Sequence, residues 1–239
     1  MFNPKNSSSD SLPDEVYCFW NKGLFDLFSG IDGVNIHYAQ FLQDQAQCPT
    51  IVIVPGRCES YLKYQELSFD LYCQGYNIFI IDHRGQGLSG RMLRNANKGY
   101  VVKFQDYVDD FQFFIENIVT PQSSEKPYLL AHSMGGTIAT RFMQDCPNAI
   151  KAAVISSPML GFHSGLLPSR LAKMLVAVKL KFNEMISTVP WYFFGQKDYV
   201  AKSFSDNKLT HSIQRYQYFV ELYEKNKVIQ LGGVTTHWL

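Results

Sequence analysis

Residues 128–136 read Tyr128-Leu129-Leu130-Ala131-His132-Ser133-Met134-Gly135-Gly136, and the fold turns on them. Tyr128 to Ala131 are apolar on both faces, as in a strand buried inside a parallel sheet. Beyond Ser133, Ile138 and Phe142 mark one face of a helix that must end before Pro147. Strand, tight turn and helix are the three parts of a nucleophile elbow, which lifts a serine hydroxyl out of the sheet. The turn leaves room only for small residues two before and two after the serine. Gly135 meets that demand fully, and Ala131 stands where a first glycine is usual, adding a methyl group.

Working outward, Ile51-Val-Ile-Val54 and Ile78-Phe-Ile-Ile81 are two more runs with the pattern of fully buried strands, and Ala152-Ala-Val-Ile155 is a fourth strand. Between the first two lies a helix with Tyr64, Leu67 and Leu71 on one face, closed by Gly75 at a position suited to left-handed backbone. Between the second and third, Phe104, Tyr107, Val108, Phe111, Phe114, Ile115 and Ile118 recur at helical steps. Strands alternating with helices predict an α/β architecture, a mostly parallel sheet with helices on both faces. Residues 1–15, polar and rich in Ser, Asn and Pro, are expected to form a loose arm, and 16–157 the core. From Pro158 the pattern changes, and 158–239 is expected to form a cap. Leu167, Leu171, Met174, Leu175, Val178 and Phe182 make a helical stripe there, flanked by Arg170, Lys173 and Lys181. Such a helix can lie on an anionic lipid surface or pack on its own domain, and packing is the commoner case. A second helix is expected over roughly Thr210 to Lys225, with Ile213, Tyr216, Val220 and Tyr223.

Composition narrows the function. Hydrophobic content of 46% and charged content of 18% suit an ordinary globular protein, and a formal net charge of +1 gives no field to draw nucleic acid. Aromatic residues make up 15%, which suits an apolar ligand but is first of all a matter of core packing. The five cysteines are odd in number, widely spaced and without a Cys-x-x-Cys pair, so neither a metal site nor a disulfide framework is expected, and a reducing compartment is. The first ten residues lack the pattern of a signal peptide, and no apolar run approaches the roughly 20 residues that span a bilayer.

Acyl transfer at Ser133 needs donors for a developing oxyanion. The backbone N–H of Met134 is one candidate. The other is the N–H of Arg57, in the Pro55-Gly56-Arg57 loop after the first buried strand, where Gly56 allows close approach. The Arg57 guanidinium could face a phosphate or pair with Glu59, and the pair is the expected use. Asp82-His-Arg-Gly-Gln-Gly-Leu-Ser-Gly90 lacks the spacing of a phosphate-binding loop. It reads as a structural turn in which Asp82 and Arg84 hold neighbouring loops and His83 is a hydrogen-bonded structural residue.

The ordered segments PGRCESYLKYQELSFDLY, IIDHRGQGLSGR, FQDYVDDF, LLAHSMGG, SSPMLGF, LTHSIQRY and GGVTTHWL resemble the bacterial lysophospholipases of the L-two type, relatives of the monoacylglycerol lipases. The resemblance runs from about Phe41 to Leu239. It implies an α/β-hydrolase fold with a cap inserted after the sixth strand. It also implies hydrolysis of the acyl ester of a lysophospholipid or monoacylglycerol through an acyl-enzyme on Ser133. No cofactor and no metal are implied, and association with the inner face of the cytoplasmic membrane is.

A serine nucleophile needs a base and an acid, which in this fold follow it in the order acid then His. After Ser133 come Asp145, Asp198 and Asp206, and His163, His211 and His237. One reading takes Val189-Pro-Trp-Tyr-Phe-Phe194 as a seventh strand, Asp198 as the acid, Val228-Ile-Gln-Leu231 as the last strand and His237 as the base. In the other, the resemblance places LTHSIQRY and GGVTTHWL inside the cap, so that acid, base and last strands lie beyond Leu239. Seven ordered motifs favour the second, which predicts a shortened, nearly inert esterase with an interior strand exposed as an edge. A non-catalytic lipid-binding protein and another hydrolase on the same scaffold are the competing functions.

Overall fold

The computed structural model describes residues 12–45, 47–161, 168–207 and 209–238. Its sheet has six strands: β1 (Leu24–Ser29), β2 (Asn35–Phe41), β3 (Thr50–Val54), β4 (Asn77–Ile81), β5 (Tyr128–His132) and β6 (Ala152–Ser156). They lie in the order β1-β2-β4-β3-β5-β6. The pairings β4–β3, β3–β5 and β5–β6 are parallel, and β2 runs antiparallel to both β1 and β4. The chain goes from β3 out to β4 and crosses back to β5 on the other side. The carboxyl ends of β3 and β5 therefore flank a topological switch point, where open α/β sheets place their ligands.

Helices cover both faces. On one side α1 (Asp14–Trp20) and α2 (Gln65–Cys73) pack on each other, and Phe19, Trp20, Ile53, Ile78 and Ile80 form a buried cluster. On the other, α3 (Phe104–Phe114) and α4 (Met134–Asp145) close over Val52, Val54, Phe79, Ile81, Leu129 and Ala131. The four apolar side chains of Ile78 to Ile81 are fully buried. At about 1.5–3 kcal/mol each, they make β4 the best-anchored strand. Gly75 takes the left-handed backbone expected of it, at φ +88°. α1 starts at Asp14, inside the stretch expected to be a loose arm, because Val16, Phe19 and Trp20 bury one face.

Two strands are less covered than their apolar runs suggest. β5 alternates, with Leu129 and Ala131 buried and Tyr128 and Leu130 only half-buried, since the α1–α2 layer does not extend over it. β6 is exposed at four of its five residues, with Val154 at 65%, and among the described residues it pairs with β5 alone. The apolar composition of both suits covered strands, but β6 ends the strand order and β5, though paired on both edges, is left partly open on one face.

Beyond β6 come α5 (Ser169–Ile186) and α6 (Ile213–Lys225), joined by irregular chain. The seventh strand over 189–194 does not form: Tyr192 makes one isolated bridge, to Thr235. Nor does 228–231, where Lys227–Ile229 is a short 3₁₀ turn. Instead this segment docks on the 95–100 loop, with Gly99 N–H donating to Gly233 O and Thr235 N–H to Gly99 O, both at 2.8 Å. The expected stripe on α5 is present but uncovered: Met174, Leu175, Val178 and Phe182 are all exposed, so the helix does not bury this face on its own domain. Leu167 lies outside the described residues.

Candidate active site

Ser133 sits between the end of β5 and the first residue of α4, with φ +50° and ψ −117°. A non-glycine residue at such angles costs of order 1–3 kcal/mol and persists only where its surroundings over-determine it. Here they do. Ser133 N–H donates to Ser156 O at 3.0 Å, and its carbonyl accepts from Met159 N–H at 3.1 Å and Thr137 N–H at 3.3 Å. The demand for small neighbours is met as the motif predicts: a Cβ on Gly135 would stand 2.3 Å from Val54 O. Met134 opens α4, so its N–H has no acceptor within the helix.

The loop after β3 comes directly against this turn. A Cβ on Gly56 would lie 3.1 Å from Ser133 Cβ and 2.9 Å from His132 Nδ1. The two expected oxyanion donors, Arg57 on this loop and Met134 at the start of α4, thus lie on segments that meet beside Ser133. Glu59, which the sequence reading offered only as a partner for Arg57, organises this loop. Its carboxylate accepts from Gly56 N–H and Tyr64 O–H, each at 2.6 Å, and from Lys63 Nζ, and it faces His132 Nδ1 at 3.1 Å. With its oxygens so occupied, Glu59 does not take Arg57. The guanidinium instead donates to Gly232 O and to Cys58 Sγ and lies 5.5 Å from the Trp238 ring.

Burial alone would raise the Glu59 carboxyl, but the bonds from His132, Lys63 and Tyr64 outweigh it and hold it down to about 2. A carboxylate depressed by folding stabilises the chain above its unfolded value and loses that contribution as pH falls toward the folded one. Glu59→Gln should therefore cost about 3 kcal/mol near pH 7. The difference should shrink as pH drops below 4.5, the group's ordinary value. Urea unfolding of both proteins across that range measures it, and a difference that stays constant would show the carboxylate charge to be irrelevant.

The loop after β4 is structural, as its spacing suggests. Asp82 accepts from Ser60 O–H, Tyr61 N–H and Leu88 N–H, tying three segments together. Arg84 forks onto Asp110 with Nε and Nη2 at 2.6 and 2.8 Å. His83 is buried against Tyr107, where desolvation lowers it to about 4, and it makes no hydrogen bond to Ser133.

The in-chain acid and base are not brought together. Asp198 bonds Tyr192 O–H and Asn95, while His237 faces Glu184 at 3.7 Å and the Tyr100 ring. His211 is exposed, Asp145 pairs with Arg141, Asp206 accepts from Ser203 O–H, and His163 lies outside the described residues. Ser133 Oγ makes no hydrogen bond to a side chain among the described residues. These residues hold no cluster suited to a metal ion, and all five cysteines are free.

Comparison with known proteins agrees with this geometry. The chain is 38% identical over 224 residues to lysophospholipase L2 of Escherichia coli K12, covering 92% of this chain and 64% of that protein. It therefore spans less than two thirds of that relative's length. It is 33% identical to a probable lysophospholipase L2 of Haemophilus influenzae, covering 94% of this chain and 70% of the other. Among solved structures, an epoxide hydrolase of Vigna radiata superposes with a TM-score of 0.55 at 15% identity, over 91% of this chain and 70% of that one, a likeness of fold alone. The family described as serine aminopeptidase, S33, matches residues 45–239, and with the elbow at Ser133 and the sheet order β1-β2-β4-β3-β5-β6 the chain belongs to this family of α/β-hydrolases.

Proposed function

We propose that this chain is the acyl-binding and nucleophile-bearing part of a lysophospholipase. In it Ser133 Oγ bonds to the acyl carbon of a lysophospholipid, the glycerol oxygen leaves, and water releases the fatty acid from the acyl-enzyme. The N–H groups of Arg57 and Met134 receive the oxyanion. The observation that carries this reading is the strained Ser133 turn with Gly56 packed against it, and the relatives named lysophospholipase support the substrate class. Monoacylglycerols are the alternative substrate, supported by a Mycolicibacterium smegmatis monoacylglycerol lipase 27% identical over 153 residues.

One observation favours a second reading, a lipid-binding scaffold without turnover: no histidine among the described residues hydrogen-bonds Ser133 Oγ. A fluorophosphonate probe separates the two. Labelling that Ser133→Ala removes, with fatty acid released from lysophosphatidylethanolamine, supports the enzyme. A protein that stays unlabelled yet binds the lipid supports the scaffold.

Residues 158–239 act on this reading as the cap, and the uncovered face of α5 serves peripheral association with the inner face of the cytoplasmic membrane. Met174, Val178 and Met185 are at least half exposed, and Arg170 and Lys173 are exposed beside them. Apolar area together with cations is what an interfacial helix needs. No helix among the described residues is long and apolar enough to cross a membrane. Sedimentation with vesicles rich in phosphatidylglycerol should pull the protein down, and Met174→Glu with Val178→Glu should weaken this about tenfold or more. Equal binding by the double variant would remove α5 from the interaction.

A further inference from the structure

We propose that Gln86 is the positioning residue of the oxyanion hole, setting the direction of the Arg57 N–H through the carbonyl of Gly56; this rests on the acyl-transfer reading above. Gln86 is buried at 2% exposure on the loop after β4. Its backbone is anchored there by donation to His83 O and acceptance from Ser89 N–H. Its side-chain Nε2 donates to Gly56 O at 2.7 Å and to Glu59 O at 3.1 Å, while Oε1 accepts from Cys58 N–H at 3.3 Å.

Gly56 O and Arg57 N–H belong to one peptide plane, and there is no cis peptide bond among the described residues. In a trans peptide the N–H points opposite to the C=O. Whatever holds the Gly56 carbonyl toward Gln86 therefore turns the Arg57 N–H away from Gln86. That N–H donates to no described residue, whereas Gly56 N–H is taken by Glu59 and Cys58 N–H by Gln86. A donor left free while its neighbours on both sides are satisfied is preorganised for a charge that appears only during reaction. The second contact fixes the plane on the far side of Arg57, where Cys58 takes φ +60°, a conformation that a loop held at one point would relax. Donor and acceptor in one flat group are both required, which at neutral pH a carboxamide supplies and an ionised carboxylate does not.

The test uses Gln86→Met, which removes both contacts at similar volume, and Gln86→Glu, which keeps an acceptor for Cys58 N–H. With a p-nitrophenyl ester, both variants should lose about 10²–10³ in kcat, the cost of one oxyanion donor, with KM changed less than about twofold. In Gln86→Glu the loss should lessen at low pH, where a protonated carboxyl can again donate to Gly56 O, a recovery that general loosening of the fold would not give. Crystal structures of wild type and both variants supply a readout that needs no turnover: the 56–57 peptide should rotate in Gln86→Met. Undiminished kcat in variants of a protein whose activity Ser133→Ala abolishes would overturn the proposal while leaving the acyl-transfer reading intact. A peptide that keeps its orientation without Gln86 would overturn it as well. Should wild type show no Ser133-dependent turnover, the acyl-transfer reading fails, and the orientation of that peptide still decides the positioning role.

Discussion

Gly135→Ala should cost the chain at least about 4 kcal/mol, enough to remove most of the soluble protein. The added Cβ would stand 2.3 Å from Val54 O and 2.4 Å from Pro55 O, and both are backbone atoms at the end of β3. A flexible side chain could swing aside, but β3 is paired on both edges, to β4 and to β5, so a shift there breaks ladder bonds as well. Overpacking where the neighbour cannot yield lies at the upper end of mutational costs. Gly75→Ala is the control. Its φ of +88° is unfavourable to any side chain, yet nothing stands within 4 Å of the added atom, so the loss should be only about 1 kcal/mol. Urea denaturation of the two variants gives the comparison, and similar midpoints would show that the tight approach of α4 to β3 is not what the glycine serves.

The second large effect belongs to Asp110. Arg84 is 2% exposed and holds Asp110 through two bonds, while Asp110 Oδ1 also accepts from Ile31 N–H at 2.9 Å, tying the β1–β2 connection to α3. Asp110→Ala leaves a buried guanidinium with Asp106 Oδ2, at 3.6 Å, as its remaining acid. Removing one member of a buried ion pair typically costs 3–5 kcal/mol, so we expect about that. Replacing both, Arg84→Met with Asp110→Leu, should recover more than half of the loss, because the guanidinium is then removed with its main partner and Asp106 keeps its bond from Lys103 N–H. Thermal unfolding of the two proteins checks this. A double variant no better than Asp110→Ala would mean that the bond to Ile31, and not the charge pair, holds this corner.

Much of the architecture was legible because it rests on local periodicity. Ile51 to Val54 and Ile78 to Ile81 are runs too short for a helix and apolar on both faces, and both are strands of the parallel part of the sheet. The Ser133 turn was legible because its geometry demands small residues at fixed places, a constraint that is local by nature. The segments 189–194 and 228–231 misled for the same reason. Their composition suits strands, yet a strand needs a partner edge, and here Tyr192 finds one only for a single bridge. Glu59 and Gln86 carried little signal, since each acts through backbone groups of a loop whose path no pattern announces.

By itself the sequence determined the alternation of strands and helices from Thr50 to Ser156, the elbow that presents Ser133 and the loop that brings Gly56 toward it, because each follows from the conformations neighbouring residues allow. β1 and β2, which it did not announce, owe their place to the pairing of β2 with β4 and of β1 with β2. Only the tertiary structure decided that Arg57 reaches Gly232 O and not Glu59, that Gln86 grips both peptides beside Arg57, and that β6 and the apolar face of α5 stand open to solvent. Such outcomes depend on which distant groups compete for the same donor and which surfaces another layer covers, and neither is a property of residues near in the chain.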